Sequence, residues 1–66
     1  MVDGEYNNMR QYLYTVILTN GTVEQEYDKW AFNKNEAVIL AQAEAIQNAR
    51  GYELVSINEN KMSRAI

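Results

Sequence analysis

Three carboxylates at alternate positions, Glu24, Glu26 and Asp28, are the first side chains here whose spacing suggests chemistry. On an extended strand such residues share one face, roughly 7 Å between neighbours. A row of that kind suits a basic partner, or mimics the phosphate spacing of a nucleic acid. It equally suits the solvated side of an edge strand, where charge discourages aggregation. A calcium site needs more oxygen ligands on a turning loop. Tyr12, Tyr14, Tyr27 and Tyr52 form a second set. Aromatic rings on a sheet can stack single-stranded bases, but such platforms need basic neighbours to hold the phosphates. Only Arg10 and Lys29 lie near, so these rings read better as core.

Catalytic chemistry finds little footing. The 66 residues include no Cys and no His, which excludes thiolate or imidazole metal sites and disulfides. Thr15, Thr19, Thr22, Ser56 and Ser63 have no base to activate them. General acid–base work would fall to carboxylates or tyrosines, and nothing pairs them in a pocket. The expectation is a protein without enzymatic activity, cofactor or metal. Trp30 remains as either an interface anchor or a core plug at a strand–helix junction.

Length sets the scale on which these groups can be positioned. One domain is the expectation, with an ordered core over residues 11–58 and flexible termini. A chain this short buries only about 60% of its unfolded surface, so close packing or self-association must support it. Net charge is −3, with six scattered basic residues, which argues against broad capture of nucleic acid or anionic lipid. No apolar run approaches the ~20 residues of a membrane span. Residues 1–8 lack the layout of a signal peptide, and Met1–Arg10 reads as a loosely held arm. The absence of Cys fits a reducing, cytoplasmic setting.

Gln11–Thr19 reads as a central strand, because apolar groups occupy both of its faces. Asn20-Gly21 signals a two-residue type I′ hairpin. That turn pairs Thr19 with Thr22, Leu18 with Val23, Ile17 with Glu24, Val16 with Gln25, Thr15 with Glu26 and Tyr14 with Tyr27. Tyr12, Tyr14, Val16, Leu18, Val23 and Tyr27 then gather on the expected core face. Leu13, Thr15, Ile17, Thr19 and Trp30 share the other face with the three acids. A bulge between Tyr27 and Trp30 would swing Trp30 inward. The second strand is expected over Thr22–Ala31.

Asn33 caps a helix with Glu36 three residues on, in the manner of a capping box. The helix is expected to run through Ala49, with Arg50 in its last turn and Gly51 at its left-handed end. A short third strand follows at Tyr52–Asn58, and Lys61–Ile66 reads as a fraying tail or a further helical turn. The fold class is α+β: a three-stranded antiparallel sheet in ββαβ order, strand order 2-1-3, one helix on one face. The β2–helix–β3 crossover is expected to be right-handed.

On a helical wheel Ala37, Ala41, Ala45 and Ala49 form one row with Val38 beside it. Ile39, Ala43 and Ile46 spread further round, Leu40 points elsewhere, and Gln42, Glu44, Gln47 and Asn48 do not gather on one side. Apolar surface exceeds what one sheet covers. Alanine serves helix propensity, and it also permits close approach to the sheet or to a second helix. The surplus marks self-association through the helix or through the open sheet face. The expected partner-binding residues are Trp30, Leu13, Ile17 and Leu40, with Glu24, Glu26 and Asp28.

The segments YLYTVILTNGTVEQEYD, WAFNKNEAVILAQAEAI and GYELVSI together resemble short phage and prophage open reading frames. The resemblance covers residues 11–58 and rests on element order; it carries no catalytic residues. It implies a small accessory protein acting in the host cytoplasm by binding a host or viral protein. The leading expectation is therefore a self-associating protein-interaction module. An acidic DNA mimic or host-factor inhibitor, and a single-strand nucleic-acid binder using the tyrosine face, are the alternatives.

Overall fold

The computed structural model describes residues 10–47 and 53–66. Strand β1 (Arg10–Thr19) leads into β2 (Glu24–Ala31), helix α1 (Lys34–Gln47) and β3 (Glu53–Ala65). The three strands form one sheet in the order β2-β1-β3, and both pairings are antiparallel. The architecture is the expected α+β one, with the most apolar strand in the centre. Of the arm expected over Met1–Arg10, only Arg10 is among the described residues, and it is not loose: it opens β1 opposite Ala65. The rest of the arm, the helix end at Asn48–Ala49, and the roles of Arg50, Gly51 and Tyr52 lie outside the described residues.

The hairpin differs from expectation. Thr19 pairs with Glu24, so the connection spans four residues, Asn20–Val23, and β2 begins two residues late. A type I′ turn would need positive φ at both Asn20 and Gly21. Only Gly21 adopts it, at 96°. Asn20 instead turns its side-chain oxygen on the backbone, accepting from the N–H groups of Thr22 and Val23 at 2.9 Å each. Thr19 closes the other side: its hydroxyl donates to the Val23 carbonyl and accepts from the Gly21 N–H. The register therefore moves by two residues. Side chains alternate with period two, so an even shift keeps every residue that is still paired on its expected face.

That face forms the core. Tyr14, Val16, Leu18, Tyr27 and Ala31 from the sheet meet Ala37, Ala41 and Ala45 from the helix, all buried. Tyr12, Val38 and Ile57 pack around them. Val23, expected here, sits in the loop and is exposed. Alanine is what lets the helix lie this close to Val16 and Leu18, both fully buried.

The helix start follows its sequence signal with one change. Asn33 Oδ1 accepts from the Glu36 N–H at 2.9 Å. The Glu36 carboxylate accepts from the Phe32 N–H at 2.6 Å, one residue earlier than a standard capping box.

The largest departure is at the C-terminus. Lys61–Ala65 is neither a fraying tail nor a helical turn; it continues β3 alongside β1, reaching Ala65 opposite Arg10. Two register shifts interrupt that pairing, and Lys61 holds a positive φ of 58° within the first.

The two alanine positions Ala41 and Ala43 test this packing. Ala41→Leu, forced against the sheet, should cost about 1–3 kcal/mol in urea unfolding. Ala43→Leu, on the exposed side, should stay within about 0.5 kcal/mol of the parent.

Candidate functional site

The open sheet face carries most of the residues expected to bind a partner. Leu13 pairs with Trp30, Thr15 with Asp28, Ile17 with Glu26 and Thr19 with Glu24. The β1–β2 register is unbroken, so no bulge swings Trp30 inward. Trp30 lies on the open face, half-buried beneath Arg64, whose guanidinium carbon stands 4.5 Å from the ring centroid. Arg64 also donates from Nε and Nη2 to Gln11 Oε1, at 2.9 and 2.8 Å. Thr15 donates to Asp28 at 2.9 Å and accepts from Asn60 Nδ2 at 2.8 Å. This polar mesh leaves Leu13 and Ile17 only half-exposed. The open face is thus closer to a self-satisfied solvent surface than to the bare apolar patch expected.

Glu24, Glu26 and Asp28 are exposed on one face of the outer strand, as their alternation requires. They run along the strand and do not converge; among the described residues no three metal-ligating side chains do. A shallow depression of about 280 Å³ lies at the hairpin end, lined by Thr19, Asn20, Gly21 and Glu53. The Thr19 hydroxyl and the Asn20 amide oxygen are engaged in the turn, which leaves Glu53 as its one titratable group.

The tyrosines are spent elsewhere. Tyr14 and Tyr27 are only 4% and 8% exposed, under the helix, and Tyr12 is half-buried against the core. Buried rings cannot stack bases. Tyr52 lies outside the described residues.

The helix carries bare apolar surface of its own. Ile39 is 63% exposed and Ile46 67%, both on the side opposite the buried alanines. Leu40, at 41%, lies at the flank over β2, where Lys29 and Glu44 form an ion pair. Leu40 was expected to face a partner; Ile39 and Ile46 are the more exposed positions. The wheel held that signal: with Ala37, Ala41 and Ala45 committed to the sheet, the Ile39–Ala43–Ile46 row must point outward. Arg64 had no such signal, because its contact with Trp30 depends on a pairing between chain ends.

Compared with family models, curated proteins and solved structures, the chain matches none. No described helix is long and apolar enough to cross a membrane.

Burial raises the pKa of Tyr14 above its ordinary value of 10.0, with the nearby Glu59 carboxylate and Tyr12 adding to the effect. The folded state thus holds that proton more tightly than the unfolded chain does. Its contribution to stability is complete below pH 10 and is lost as pH rises through the folded pKa. Urea unfolding followed across that range should show stability falling from about pH 10 upward. Tyr14→Phe should flatten the fall.

Proposed function

We propose that this chain is a small, non-enzymatic protein-interaction module whose docking surface is the outer side of α1. One observation carries the reading: the helix is apolar on both sides, burying alanines and exposing isoleucines. The outward side of a surface helix is ordinarily polar, so bare isoleucines there call for a cover. Among the described residues, three of the nine large apolar side chains that stand more than a third exposed, Ile39, Leu40 and Ile46, lie on this one helix. A patch of this kind in a folded chain marks a contact surface. Between Ala37 and Ala43 the helix carries no charge, so what covers it is itself apolar. The resemblance to small phage reading frames adds an accessory role in a host cytoplasm.

A photo-reactive phenylalanine analogue in place of Ile39 should give covalent adducts with protein when the chain is produced in cells. The same analogue in place of Glu26, on the open face, should give few. Adducts from position 26 alone would reject the reading. Ile39→Glu and Ile46→Glu should leave the unfolding free energy within about 0.5 kcal/mol, because neither side chain supports the core.

A further inference from the structure

We propose that Met62–Ile66 is a hinged strap, which closes over Trp30 and swings open at Lys61 as one unit while the core stays folded. It belongs to β3 and covers the open face of the sheet, so it stands apart from the reading of the helix surface.

The hinge is a break in the β1–β3 ladder. Tyr14 pairs with Glu59 and Tyr12 with Ser63, so Asn60, Lys61 and Met62 stand against Leu13 alone. Lys61 holds its φ of 58° there, alone among the described non-glycine residues in having a positive φ. A residue with a Cβ is strained in that left-handed region. Strain of this kind gathers at clamps and switch segments. Asn60 anchors the fixed side of the hinge: its Nδ2 donates to Thr15 Oγ1, and Thr15 is bonded in turn to Asp28.

Beyond the hinge nothing anchors the strap in the core. Every residue from Asn58 to Ile66 is exposed, Met62 at 53% and Ile66 at 67%. β2 reaches only to Tyr12, so Arg10 and Gln11 pair with the strap alone. A two-stranded ribbon of that kind is marginal in water. Its side-chain links are exposed. Arg10 donates from Nε and Nη2 to Ser63 Oγ at 3.3 and 3.0 Å, and Arg64 donates to Gln11. A segment with few buried apolar contacts and solvent-exposed hydrogen bonds opens locally, at less cost than global unfolding.

Opening changes the surroundings of Trp30. The guanidinium over its ring belongs to Arg64, in the strap, and leaves with it. The strap therefore decides when an indole, a side chain enriched at binding hot spots, is laid bare.

Hydrogen exchange and acrylamide quenching on the full chain test this, because Trp30 is its one tryptophan. The bonded amides linking Arg10 and Gln11 to Arg64 and Ala65 should exchange together, and faster than those of Val16 and Leu18. Lys61→Gly, which takes a positive φ without strain, should slow that exchange about tenfold. Lys61→Pro, whose ring forbids a positive φ, should hold the strap open. The ribbon amides then lose protection and quenching of Trp30 rises toward that of the urea-unfolded chain, with Val16 and Leu18 still protected. Ribbon amides as protected as Val16 and Leu18 would overturn the proposal, as would protection that fades stepwise from Ala65 inward. So would a Lys61→Pro chain that loses protection at Val16 and Leu18 as well, or one whose Trp30 is quenched no more than in the parent.

Discussion

Close approach between an alanine row and a sheet governs how the rest of this molecule is arranged. Ala37, Ala41 and Ala45 let the backbone of α1 settle onto Tyr14, Val16, Leu18 and Tyr27. The large side chains in this core come from the sheet, and the helix contributes its smallness. Its own large residues are therefore directed away: Ile39 and Ile46 outward, Leu40 to the flank. In most surface helices the large apolar residues face in and polar ones face out. Here the two roles are divided between two sides, small residues inward and large ones outward.

The sheet is finished on its other surfaces in a way that makes this contrast sharp. The open face is closed by Arg64 over Trp30 and by the Thr15–Asp28 and Asn60–Thr15 hydrogen bonds. These links are exposed and individually weak, each worth about 1 kcal/mol or less. Their effect is to tie together polar groups across the face that also carries Leu13 and Ile17. The acids on β2 and the bends in β3 leave neither edge inviting to a further strand. A small domain with eight buried core residues among those described has little stability to spare. Covering the outer helix row would add apolar burial that the monomer lacks.

Much of this was legible in the residues, and the exceptions have physical causes. The central strand, the hairpin position, the helix cap at Asn33 and the 2-1-3 order follow from local pattern and from placing the most apolar strand in the middle. The turn was misread because Asn-Gly has two ways to close a hairpin. Backbone φ at Asn20 and a side-chain bond from Asn20 give loops of different length. The β-strand at Lys61–Ala65 was invisible because KMSRA has no strand periodicity of its own; it extends only because Arg10–Tyr12 is there to pair with. The Trp30–Arg64 contact disappeared with it. The outward isoleucines could be read from helical spacing, but only once the alanines were assigned to the sheet.

The claim at the centre is that α1 buries its alanines against the sheet and leaves Ile39 and Ile46 bare. Methyl NMR with a soluble paramagnetic probe, on dilute isoleucine-labelled protein, measures that directly. The account predicts strong broadening of the Ile39 and Ile46 methyls, with Ile57, packed against the core, little changed. Methyls of Ile39 and Ile46 shielded as well as that of Ile57 would contradict it.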